Sequence, residues 1–121
     1  MGDDLNVAYE LGLRGDHEGA IRIYSNYLKR FEESSDPEVL HTVVDVMDNL
    51  ALELAQAGRA REAMRTLDRL IARYSDSVDP KLQGAVRHAK ISKLLVKKSA
   101  PIQSRGRQRK MPSFPRFWSK R

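Results

Sequence analysis

Apolar residues return along this chain at spacings of three and four. Leu5, Ala8 and Leu11 form one series, and Ala20, Ile21, Tyr24, Leu28 and Phe31 form a second. That period puts each series on one stripe of an α-helix, with charged side chains on the other faces. The series break at Gly15-Asp16 and again at Gly58-Arg59, where a glycine can take the left-handed conformation that ends a helix. Asp36-Pro37 and Asp79-Pro80 carry the opposite signal. The aspartate can accept hydrogen bonds from the first free amides, and proline suits the first helical position because its missing N–H would be unpaired there. The pattern predicts helices near residues 4–14, 17–33, 37–57, 60–74 and 80–98.

Sliding the sequence against itself by 43 residues brings the apolar positions into register. Ala8 meets Ala51, Leu11 meets Leu54, Ala20 meets Ala63, and Ile21 meets Met64. Tyr24 meets Leu67, Leu28 meets Ile71, and Phe31 meets Tyr74, while Gly15 falls on Gly58 and Asp36-Pro37 on Asp79-Pro80. The packing positions match and the charged positions between them drift, as expected of a structural repeat. Each unit is then two helices, with units at 4–36 and 37–79 and a partial third at 80–98.

Ala8, Leu11, Gly15-Asp16, Ala20-Ile21 and Tyr24, followed by Met47, Leu50, Ala51, Leu54, Gly58, Ala63 and Leu67, resemble the tetratricopeptide repeat. The resemblance covers residues 4–98, and it departs from the family in its period, 43 residues against about 34. HEAT-like stacking is the alternative that such a length leaves open. The resemblance implies an all-α fold, a short α-solenoid of about two and a half helical hairpins with five helices; the composition of the C-terminal tail predicts no fixed structure there. It also implies a non-enzymatic scaffold or adaptor that binds a protein or peptide on a concave face lined by the first helix of each unit. The groove positions of the family fall on Asn6, Tyr9 and Leu13 in the first unit, and on Asp45, Asp48, Asn49, Leu52 and Gln56 in the second. In the third they fall on His88, Ser92 and Leu95. Asp45 and Asp48 stand where a clamp for acidic peptides would carry lysines, which points to a basic or neutral partner; a plain solvated helix face is the competing expectation. Among the aromatics, Tyr24, Phe31 and Tyr74 occupy repeat positions that pack between helices, and Tyr9 is left open to contact a ligand.

Catalytic chemistry finds little footing. The sequence has no phosphate-binding glycine loop, no nucleophile elbow and no H-E-x-x-H motif, so neither enzymatic activity nor a cofactor is expected. His17, His41 and His88 are isolated along the chain. His41 shares a helix face with Asp45 and Asp48, which makes a metal site conceivable, against surface ion pairing or solvation of the same trio. With 0 cysteines, disulfides and zinc–thiolate sites are excluded, and a reducing compartment is compatible. No apolar run approaches the length of a membrane span. Met1-Gly2-Asp3-Asp4 has neither the basic and apolar regions of a secretory signal nor, with Asn6 at the sixth position, a full myristoylation pattern. The expectation is a cytoplasmic protein.

Charge changes the picture at the C-terminal end. The net +6 is the sum of an acidic body and a basic end. Residues 1–80 hold 9 Lys/Arg against 16 Asp/Glu, and residues 81–121 hold 13 Lys/Arg and no acid. The last predicted helix gathers Lys90, Lys93, Lys97 and Lys98, like the first helix of a third unit whose partner is missing. Such an incomplete stack predicts marginal stability, or self-association into a homo-oligomer through the open end. After Ala100-Pro101 the helical pattern stops. Residues 99–121 form a basic tail in which Arg105, Arg107, Arg109, Lys110, Arg116 and Trp118 could bind nucleic acid through phosphate pairing and base stacking. An anionic membrane surface, docking onto the acidic body, and an unselected extension are the other expectations for the tail.

Overall fold

The structure, a computed structural model, describes residues 2–103, with side-chain surroundings for residues 3–98. The described residues are all-α, with five helices and no strand: α1 (Gly2–Leu13), α2 (His17–Phe31), α3 (Pro37–Gln56), α4 (Ala60–Tyr74) and α5 (Pro80–Gln103). Each helix packs on the next in sequence, and α3 packs also on α5. The predicted residues of the tail, Arg105, Arg107, Arg109, Lys110, Arg116 and Trp118, lie outside the described residues.

The helix ends follow from the repeated punctuation. At the end of α1, Gly15 has φ 91°, and its amide and that of Asp16 reach back to the carbonyls of Gly12 and Leu11 at 3.0 and 2.8 Å. Gly58, with φ 83°, does the same after α3, with Arg59 N–H donating to the Leu54 carbonyl at 2.8 Å. This pair of bonds satisfies carbonyls that a helix end otherwise leaves bare. A methyl at either glycine would meet no atom within 4 Å, so the demand for glycine is purely a matter of backbone conformation. At the other signal, Asp36 accepts from Glu38 N–H at 2.9 Å, and Asp79 accepts from Lys81 N–H at 2.9 Å. Ser34 and Ser77, two residues earlier, each accept the aspartate's own amide at 3.0 Å.

The core follows the repeat register. Ala8, Ala20, Ala51 and Ala63 are fully buried, small residues that let neighbouring helices approach closely. Between them lie Tyr24, Met47, Leu67 and Leu70, also with almost no exposure. Tyr74 is buried as its position predicts, and Phe31 is half-buried beside Tyr27 with ring centroids 4.6 Å apart.

One boundary moves. The pattern places the end of the last helix at 98, yet α5 continues through Pro101 to Gln103. The run Leu94–Ala100 holds no glycine or β-branched series that would end it, and lysine, leucine and alanine favour the helix. Proline lacks the N–H that would bond one turn back, and α5 nevertheless runs through Pro101.

Candidate functional site

Asn6, Tyr9, Asp45 and Asn49, all assigned to the groove by the resemblance, line one cleft of about 90 Å³. α1 contributes Leu5, Asn6 and Tyr9 to it, α2 contributes Tyr24, and α3 contributes Thr42, Asp45, Val46 and Asn49. Helical spacing explains the set: residues 45 and 49 are one turn apart on α3, and 5, 6 and 9 cover one turn of α1. A water occupies about 30 Å³ of liquid, so the cleft has room for one small side chain. Drug-sized ligands and cofactors take roughly 300–1,000 Å³. The lining combines the apolar Leu5 and Val46 with two carboxamides, Asn6 and Asn49, which can donate to and accept from a peptide backbone.

The other groove residues divide. Leu52 is half-buried and Gln56 exposed, one and two turns beyond Asn49 on the same face of α3. Asp48 is only 7% exposed. Its carboxylate Oδ2 lies 3.5 Å from Nδ1 of His88 on α5, and burial raises its pKa against the pull of His88. Asp48 and His88 therefore form part of the α3–α5 packing, beneath the surface that the sequence assigns to ligand contact. Asp45 is half-exposed and bonds Lys81 Nζ at 3.2 Å, which moderates the negative charge of the cleft rim.

His41, Asp45 and Asp48 do not converge. His41 Nε2 is 2.7 Å from Asp79 Oδ2, Asp45 takes Lys81, and Asp48 takes His88. No group of three metal-ligating side chains occurs among the described residues. Bonding to His41 holds the Asp79 carboxyl below the usual aspartate range.

These contacts correct the sequence view of the histidines as isolated. Each meets a carboxylate 36–40 residues away, close to one repeat, a separation that a search at helical spacings does not reach. The third pair is the tightest: His17 Nδ1 lies 2.6 Å from Glu53 Oε1, with the Glu53 residue 8% exposed. Burial raises the Glu53 pKa, and the bond to His17 opposes the rise. Gly12 makes room for this carboxylate, since a methyl there would overlap Glu53 Oε2.

A larger groove of about 600 Å³ runs between α2 and α4, over Ile21, Leu28, Leu50 and Leu54. The periodicity gave no warning of it. Ion pairs cross it: Arg69 to Glu32 at 2.9 Å, Arg73 to Glu33 at 3.2 Å, and Arg59 to Glu18 at 2.6 Å. Its charged groups are mostly committed to each other, so the smaller α1–α3 cleft is the better candidate for a ligand. No described helix is long and apolar enough to cross a membrane. Compared with known proteins, the chain matches no family model, no curated protein and no solved structure.

Proposed function

We propose that this chain is a non-enzymatic, cytoplasmic interaction module of the tetratricopeptide kind, which takes an extended, neutral or basic peptide of a protein partner into the α1–α3 cleft. The convergence of Asn6, Tyr9, Asp45 and Asn49 on that cleft carries the proposal. In this reading the two asparagines bond the peptide backbone, Tyr9 packs along it, and one small side chain enters between Leu5 and Val46. Asp45, tethered to Lys81, offers a carboxylate to a cationic neighbour in the peptide.

Panning a random peptide library against the full chain tests this. Recovered peptides should lose about tenfold or more in affinity to Asn49→Ala and Tyr9→Ala, the cost of one or two lost contacts at the centre of a small interface. Helicity should be unchanged, because neither side chain belongs to the buried core. Peptides that bind both variants as they bind the parent would place recognition elsewhere.

A second reading, phosphate-backbone binding through α5 and the tail, is favoured by the charges of α5. Residues 81–98 carry Lys81, Arg87, Lys90, Lys93, Lys97 and Lys98 and no acid. Lys81 and Lys93 are committed to Asp45 and Asp68, and the others have no ion-pair partner among the described residues. That reading predicts oligonucleotide binding, by fluorescence anisotropy, with an association constant that falls about tenfold or more from low to moderate salt. Binding indifferent to salt, or none, would dismiss it.

A further inference from the structure

The repeat register identifies which faces of the first and last helices lack a neighbour. On α3, Val46 and Asn49 face α1 across the cleft, and Glu53 meets His17. One repeat earlier, these positions are Asp3, Asn6 and Glu10 on α1, all exposed. On its other side α3 meets α5 through Asp48, and its Val44, Met47, Ala51 and Leu54 are almost completely buried, Leu54 beneath the α2–α4 groove. One repeat later, these positions are Ile91, Arg87, Lys90, Leu94 and Lys97 on α5. Ile91 and Leu94 are 53% and 65% exposed, and the three cations are exposed as well.

The two ends therefore carry opposite charge at the places where a stack would continue. α1 holds Asp3, Asp4 and Glu10 with no Lys or Arg within Gly2–Leu13, around an exposed Val7. α5 holds Arg87, Lys90, Lys97 and Lys98 around Ile91 and Leu94, with no acid. Two like ends repel one another, while unlike ends attract and bring apolar groups together. We propose that the chain binds a second copy of itself head to tail, with α5 of one copy laid against α1 of the next. Such an interface is heterologous, so it extends to longer assemblies and does not stop at a dimer.

Sedimentation velocity of the full chain over a range of concentrations, at about 50 mM and about 500 mM salt, tests the proposal, because charge attraction between exposed groups is screened over that range. The weight-average mass should rise with concentration at low salt and fall back towards the monomer at high salt. Lys90→Glu/Lys97→Glu should weaken association by about tenfold or more, since like charges then face each other, and so should Asp3→Lys/Glu10→Lys. All four positions are exposed, so circular dichroism should show the parent's helicity. An equimolar mixture of the two charge-reversed variants should associate again, because each supplies the end that the other lost. A monomer at every concentration and salt overturns the proposal and leaves the α5 cations to phosphate binding. Association untouched by Lys90→Glu/Lys97→Glu overturns it as well and shifts the contact to another segment, such as the basic tail. A mixture that stays monomeric overturns the pairing of α5 with α1.

Discussion

Tyr24→Ala is expected to lower stability by about 3–5 kcal/mol, the range for removing a large buried aromatic. Tyr24 is 2% exposed and lines the cleft where α1, α2 and α3 meet, together with Leu5, Tyr9 and Val46. The loss combines the removed apolar surface with the void left behind, which helices pinned by buried alanines can only partly close. Domains of this size hold about 5–15 kcal/mol in total. The variant should therefore melt about 15 °C or more below the parent, followed by circular dichroism at 222 nm. Leu67 takes the same repeat position and is fully buried, so Leu67→Ala should cost about 2–5 kcal/mol. Tyr24→Phe keeps the buried ring and should cost about 1 kcal/mol or less. A melting point for Tyr24→Ala within a few degrees of the parent would mean that the junction of the first three helices is not where the fold is held.

The comparison of Tyr24 with Leu67 shows what was legible in the sequence. Apolar residues at repeat positions must be buried for paired helices to cover one another, and a glycine with positive φ or an Asp-Pro step has a local cause that needs no knowledge of the rest. The five helices and their core were therefore readable from period and punctuation. The site was readable only in part. Asp45 and Asp48 are three residues apart, which at 3.6 residues per turn leaves them roughly 60° apart around the helix. That difference leaves Asp45 half-exposed at the rim with Lys81 and puts Asp48 under α5 with His88. Hydrophobic period assigns both to a polar face, because it cannot say where the neighbouring helix will lie. The histidine–carboxylate pairs were hidden for the same reason, as their partners meet only when successive units pack.

The His17–Glu53 pair supplies the other large expected effect, and an unequal one. Removing one partner of a buried polar pair leaves the other desolvated, whereas a neutral replacement of the same shape retains the bond. His17→Ala leaves the Glu53 carboxylate in its buried place without the only hydrogen-bond partner found for it among the described residues, and should cost about 1–3 kcal/mol at pH 7. Glu53→Gln keeps an oxygen that can accept from His17 N–H and removes the charge that burial opposes, so its stability at pH 7 should equal or exceed the parent's. The pH dependence has a definite sign. Burial raises the Glu53 pKa above its ordinary 4.5, so the folded state holds this proton more tightly than the unfolded chain. The stability tied to the proton is full below pH 4.5 and is lost as pH rises through the raised value. Without His17 the opposing pull disappears, so the deficit of His17→Ala relative to the parent should be small in mild acid and grow toward neutrality. Glu53→Gln should lack this dependence. Asp79, held low by His41, acts in the opposite sense, its contribution being lost as pH falls through its depressed value, but it is common to all three proteins and cancels in the differences. Urea denaturation of the parent and both variants between about pH 4 and 8 measures those differences directly. If His17→Ala matched the parent across that range while Glu53→Gln lost stability at neutral pH, the carboxylate would be held by something other than His17.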